Sequence, residues 1–218
     1  MLTPRLQTVL ELITQCETLA DIGTDHAYLP IEAVGMGLCK KAIACDVNKG
    51  PLEIAAANIH AAGFPDTIET RLGDGIKPLG ENEADCIAIC GMGGALIIKI
   101  LEQDLPKARH AKLILQPQYS QERLRRYLHS ANFTFSEELV AENSRYYTIL
   151  CATYTGVAQA YTNSEYFIGK LGHSPVFPQY LQHLQYKISR YIQQITDTAT
   201  REKAEEQLRW IEYERSSS

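Results

Sequence analysis

Short apolar runs, four of five stopping at a glycine or an aspartate and most followed by an amphipathic helical stretch, confine this chain to a narrow set of folds. The runs cover residues 18–22, 41–46, 67–72, 84–90 and 111–115. The fourth, ADCIAIC, is almost continuously apolar, as expected for a strand covered on both faces of a parallel sheet. Helical stretches are predicted at 27–37, 50–62, 95–103 and 121–130. An opening helix over 4–15 has Thr3 as its N-cap and Pro4 in its first turn. Segments 134–142 and 146–154 then follow each other without a helix, close enough to form an antiparallel hairpin. Five strand–helix units closed by an antiparallel pair predict an α/β fold with a seven-stranded, Rossmann-like sheet and an antiparallel last strand.

Beyond Gly156 strand patterns vanish and the chain turns polar and helical. Helices are expected over 162–171, 179–197 and 201–213, the last two as an antiparallel, coiled-coil-like hairpin. Two units are therefore expected, residues 1–156 and 157–218. The net charge of −5 provides no global basic field for nucleic acid, so any RNA contact must come from a local patch. The six cysteines lack a C-x-x-C pair and mostly sit in strand patterns, which fits buried thiols in a cytoplasmic protein better than zinc or disulfides. No apolar run approaches the ~20 residues of a membrane span, and no signal peptide is expected.

Chemistry concentrates where strands end. Residues 20–30, ADIGTDHAYLP, read as strand, glycine turn and helix start, the ligand corner of an open α/β sheet. Gly23 lets the backbone turn or approach a ligand. Asp25 stands where nucleotide-binding loops often place another glycine. Asp21, Asp25, Asp46 and Asp74 all fall at strand ends, facing one crevice. An acid after the second strand can accept from two ribose hydroxyls, and one in a tight G-D-G turn from an adenine amino group. The glycine corners after the first and fourth strands contain no Lys or Arg, which argues against a pyrophosphate cofactor. S-adenosylmethionine fits better: it needs an adenosine slot, backbone room for its methionine portion, and acidic surroundings.

ADIGTDHAYLP, the ACDVN around Asp46, LGDG, the GMGG turn and LQPQ together resemble the bacterial tRNA adenine-22 N1-methyltransferase family, over essentially the whole chain. The resemblance implies a class I methyltransferase domain with a carboxy-terminal tRNA-binding hairpin. It places Asp21, Gly23, Asp25 and His26 in the methionine-side loop, and Asp46 with Val47 at the ribose. Asp74 and Gly75 would meet the adenine, and Gly91, Met92, Gly93 and Gly94 would form the floor near the methyl. Asp25 and Ala27 replace glycines of the general class I pattern, a departure that the family shares.

Adenine N1 carries a free lone pair, so the chemistry implied needs orientation, water exclusion and negative or acceptor groups rather than a base. Asp25, His26, Tyr28 and Gln118 are the candidates for holding or stacking the target base. His26 serves equally well as a helix-start residue, and Tyr28 reads more naturally as core than as a platform. Cys90 reads as packing. Basic residues cluster at Lys107, Arg109, Lys112, Arg123, Arg125 and Arg126, and others dot the hairpin among tyrosines. Expected partners are tRNA and S-adenosylmethionine, with no metal and no membrane, in a monomer. Two rivals stay open: a methyltransferase for another RNA base or a small molecule, and a non-catalytic nucleotide-sensing module whose hairpin docks a protein.

Overall fold

A computed structural model describes residues 2–217. Five strands run parallel: β1 (Cys16–Ile22), β2 (Cys39–Asp46), β3 (Ile68–Leu72), β4 (Cys86–Met92) and β5 (Lys112–Pro117). They are joined by β6 (Phe133–Glu142) and β7 (Arg145–Tyr154) in the order β3-β2-β1-β4-β5-β7-β6. β7 is inserted between β5 and β6, antiparallel to both. Asn143 and Ser144, both at positive φ, form the two-residue turn that makes this hairpin possible. The seven-stranded sheet with its antiparallel insertion is the predicted one. Its order reverses between β1 and β4, which opens a crevice beyond their carboxyl ends.

Successive residues of a strand face opposite sides, and the core divides accordingly. Ala20, Ile22, Ile87 and Ile89 pack on one face, beneath α4 (Gly94–Gln103) and α6 (Gln121–Ser130). Leu19, Cys86, Ala88 and Ile114 pack on the other, beneath α1 (Pro4–Leu12), α2 (Tyr28–Gly35) and α3 (Lys49–Ala61). Each buried Ile or Leu contributes about 1.5–3 kcal/mol.

Three expectations need correcting. The helix predicted over 4–15 ends at Leu12, whose carbonyl accepts from Lys112 Nζ at 2.7 Å. The connection from β3 to β4 is a run of turns with no helix among the described residues, so four parallel strands rather than five are followed by helices. A short helix, α5 (Leu105–His110), appears instead after α4, capped by Asp104 and started by a proline in its first turn.

The carboxy-terminal region is helical, as expected. α7 (Asn163–Ile168) opens with a Thr162/Glu165 capping box and stops at Gly169, short of the predicted 171. α8 (Phe177–Ile192) and α9 (Thr198–Ser217) form the hairpin. The turn falls earlier than predicted because Asp197 accepts from the Thr200 amide at 2.8 Å, starting the next helix rather than ending the last. A third core, including Leu171, Phe177, Leu181 and Ile211, seats these helices on Leu139 of β6 and Tyr146 of β7. Among the described residues, no helix is long and apolar enough to cross a membrane, and no group of His, Cys, Asp or Glu could hold a metal.

Candidate active site

The β1–α2 corner is fixed from two sides. The Gly23 and Thr24 amides both donate to Cys45 O at 2.8 Å, and Asn58 Nδ2 of α3 donates to His26 O at 3.0 Å. Gly23 has φ +78°, and a β-carbon there would run into Met92 Cε. Ala27 takes φ 56° at the N-cap of α2, an uncommon choice for a residue with a side chain. This turns the first helical residue outward: Tyr28 is 52% exposed, not core as expected. Its ring stacks on His26 at 5.1 Å, and His26 Nε2 lies 3.2 Å from Asp25 Oδ2. Asp25, His26 and Tyr28 thus form one contiguous rim.

The end of β4 carries a bulge between Cys90 and Met92, where Gly91 takes φ +77°. The Gly91 amide donates at 3.0 Å to Oε1 of Gln116, a fully buried side chain. The following turn is welded to the β5–α6 loop. Gln118 N donates to Met92 O at 2.8 Å, and Gly94 N to Tyr119 O at 2.9 Å. A β-carbon at Gly94 would stand 2.5 Å from Ser120 O, and one at Gly93 2.5 Å from the Tyr119 ring. Gly94 is required by this approach to backbone, whereas the exposed Tyr119 ring beside Gly93 can swing away.

At the ends of β2 and β3, Asp46 Oδ1 accepts from the Asn48 amide at 2.7 Å, and Gly73 N donates to Asp46 O at 2.9 Å. Asp74 Oδ2 accepts from Lys77 Nζ at 2.8 Å and Gln103 Nε2 at 3.0 Å, which lowers the Asp74 pKa. Asp21 is buried, and burial pushes its pKa up to about 6, partly offset by the Thr24 hydroxyl and reinforced by Asp46. Thr24 Oγ1 is itself buried and makes no hydrogen bond of ordinary geometry. Burial also raises the Cys90 thiol well above its ordinary range.

Two cavities meet over this floor. One of about 420 Å³ is lined by Asp21, Gly23, Thr24, Asp25, His26, Tyr28, Gly91 and three residues of the amino terminus, Thr3, Arg5 and Leu6. The other, about 320 Å³, is lined by Gly23, Asp46, Val47, Asp74, Gly75, Gly91, Met92, Leu96 and Ile100. Gly23, Cys90 and Gly91 belong to both. A larger cavity of about 540 Å³ opens at the opposite edge, where strands begin. Its polar groups satisfy one another, Asp85 accepting from the Glu17 and Thr18 amides and Lys40 pairing with Glu17. The carboxyl-edge pair is where ligands of open α/β sheets bind.

Most predicted site residues converge there. Gly93, Gly94 and Gln118 do not line either cavity; they hold the floor from behind. Thr3, Arg5, Leu6, Thr24, Gln116, Leu96 and Ile100 escaped the sequence reading. An Arg in the first turn of an amphipathic helix carries no local mark of the sheet edge it will reach. Three residues of the basic sequence cluster are engaged elsewhere. Arg125 is fully buried against Glu137, Lys112 reaches the opposite edge, and Arg126 pairs with Glu122.

Residues 2–150 match the family model of a methyltransferase domain. The chain is 34% identical to the Bacillus subtilis (strain 168) tRNA (adenine(22)-N(1))-methyltransferase over 218 residues, 95% of this chain and 91% of that protein. Its fold superposes on Streptococcus pneumoniae Sp1610 in complex with S-adenosyl-L-methionine with a TM-score of 0.89 at 32% identity, covering 99% of this chain and 100% of that one. It also superposes on M. capricolum TrmK in complex with S-adenosyl-homocysteine, with a TM-score of 0.88 at 28% identity, covering 99% and 98%.

Proposed function

The chain belongs to the tRNA (adenine(22)-N1)-methyltransferase family, and from that premise we propose that its two joined cavities transfer a methyl group from S-adenosylmethionine to N1 of adenine 22 in tRNA. The observation that carries this reading is the division of labour between them. The smaller cavity has acids and apolar walls but no Lys or Arg, as an adenosine slot requires. The larger has a buried carboxylate and an unpartnered hydroxyl beside a glycine floor, which suits the methionine portion.

When bound, S-adenosylmethionine supplies an electrophilic methyl on a sulfonium. The chain's own residues do the rest. Asp46, already ordered by the Asn48 amide, is assigned to the ribose hydroxyls with Val47 beside it. The hydrogen bonds to Asp74 fall on Oδ2, which leaves Oδ1 to accept from the adenine amino group above Gly75. Met92, Leu96 and Ile100 flank the ring. Asp21 faces the ammonium. Asp25 offsets positive charge at the reacting centre and aligns His26, while Tyr28 presents a face to the incoming base. Gln118, whose amide is pinned to Met92 O, supports the floor from behind. No residue needs to remove a proton before attack.

The 157–218 hairpin is assigned to tRNA. Tyr186, Tyr191 and Tyr213 are exposed, and Arg190 lies over the Tyr186 ring; exposed aromatics among cations suit backbone contacts with occasional stacking. We place the enzyme in the cytoplasm with its tRNA, as a monomer, since one chain supplies both site and hairpin. Single-turnover methylation of tRNA carrying adenine or guanine at position 22 tests the assignment: product only with adenine is expected, and equal product with both would refute it.

A further inference from the structure

The edge of the sheet where strands begin holds a pair of thiols that methyl transfer does not use. Cys16 opens β1 and Cys39 opens β2, and the two are register partners across these parallel strands. Neighbouring strands lie about 4.7–4.9 Å apart, within the roughly 4.4–6.8 Å between α-carbons that a disulfide spans. Cys16 N also donates to Leu38 O at 3.0 Å, which fixes the two segments against each other. Both side chains belong to the same core cluster, and both are free thiols. They differ in access: Cys39 is buried, whereas Cys16 is half-buried and lines the cavity of about 540 Å³ with Glu17, Lys40, Asp85 and Lys112. They differ in acidity too. The neighbouring Cys39 thiol brings the Cys16 pKa below its ordinary value, and the same contact, with burial, holds Cys39 far above it. Burial pushes the Cys45 and Cys86 thiols up to about 12.

We propose that Cys16 and Cys39 form a reversible thiol–disulfide exchange site, with Cys16 as the nucleophile, Cys39 as the resolving thiol and a low-molecular-weight peptide disulfide, RSSR, as the oxidant. The thiolate is the attacking species. The Cys16 thiolate attacks one sulfur of RSSR: a Cys16–SR bond forms, the RS–SR bond breaks, and the departing RS⁻ takes up the proton that Cys16 released. With the Cys16 thiolate consumed, Cys39 loses the main cause of its raised pKa. It ionises, attacks the Cys16 sulfur and expels a second RS⁻, leaving a Cys16–Cys39 bond. Two thiols are oxidised by two electrons, and RSSR is reduced to two RSH. Cys86, opposite Leu19 on β4, sits three positions further along β1 and is the poorer resolving thiol. The mixed charges of the cavity, Lys40 and Lys112 with Glu17 and Asp85, suit a peptide that carries carboxylates and an ammonium. Because the bond joins strands that are already paired, neither strand has to move, and reduced thiol in excess reverses it.

Incubation of the full chain with glutathione disulfide, followed by intact mass measurement, tests this. The wild type should lose two hydrogen atoms and retain no glutathione, and a reduced dithiol should restore them. Proteolysis after glutamate cuts at Glu17 and Glu32, between the two cysteines, so a Cys16 peptide joined to a Cys39 peptide identifies the bond. Cys39→Ser should stop at a glutathione adduct on Cys16, and Cys16→Ser should react at least ~10-fold more slowly than the wild type. A wild type that stays fully reduced, that holds glutathione without forming the internal bond, or that pairs Cys16 with another cysteine overturns the assignment without any variant. A Cys16→Ser chain that reacts as fast as the wild type overturns it as well.

Discussion

Asp21 is the carboxylate whose charge the fold disturbs most within the site. Burial holds its pKa at about 6, so the folded chain keeps this proton at pH values where the unfolded chain, titrating near 4, has lost it. This group therefore lowers stability as pH climbs from about 4 to about 6 and adds no further slope above that. Asp21→Asn should remove the slope, as read from unfolding midpoints across that window. Cofactor affinity should run the other way, falling below about pH 6 as the carboxylate is neutralised, and Asn should flatten it. Asp25→Asn keeps its shape but loses its charge, and should slow single turnover by about 10- to 1,000-fold with cofactor affinity nearly unchanged. If affinity falls and the rate holds, Asp25 is a binding residue. The strand-end acids were legible because their position follows from strand length alone. Tyr28 was misjudged because its exposure depends on the left-handed turn at Ala27, which no pattern of apolar spacing encodes. Arg5 was missed because its partners, Gln116 and Glu142, are more than a hundred residues away.

Among the elements, the glycine turn after β4 is the least replaceable. A β-carbon at Gly94 would press on a backbone carbonyl, which cannot rotate away as a side chain can. Gly94→Ala should destabilise the chain by about 1–3 kcal/mol, measured by denaturant unfolding, and should loosen the β5–α6 loop that bears Gln118. Strands and long helices could be read to within a few residues, since period and punctuation agree there. The β3–β4 connection, where no helical stretch was expected, is a run of turns held by Arg71, which pairs with Glu83 and donates to Pro78 O. The α8–α9 turn was displaced, Asp197 being as plausible an end as a beginning until its amide partner is known.

At the scale of the molecule, the boundary near residue 156 is real in composition but not in packing. Arg125, fully buried on α6, pairs with Glu137 of β6 at 2.7 Å and donates to the Tyr166 and Phe167 carbonyls, while Glu137 also receives the Lys170 amide. Gly169 is needed beside it, since a β-carbon there would fall 2.6 Å from Arg125 Nη2. Glu137→Gln should cost about 3–5 kcal/mol in denaturant unfolding, and an Arg125→Met, Glu137→Leu pair markedly less, because a half-removed buried ion pair strands a charge. By the same logic, a chain ending at Thr155 should unfold early, so the role of the hairpin is better tested on the whole protein. Lys187→Glu with Arg190→Glu, both exposed, should weaken tRNA binding in a gel-shift titration and leave the melting temperature unchanged.

That ion pair also sets a timetable. Chains leave the ribosome amino end first, so every acid and glycine of the cofactor corner has emerged before Tyr166, Phe167 and Lys170 appear. During this interval Arg125 and Glu137 face each other with one side open to water and the edge strand β6 uncovered. The arrival of a few backbone groups closes that side. A nascent chain abandoned earlier keeps a soft flank that proteases can enter, whereas a chain translated past this point is sealed. Closure of this flank thus waits on the segment that carries Tyr166, Phe167 and Lys170.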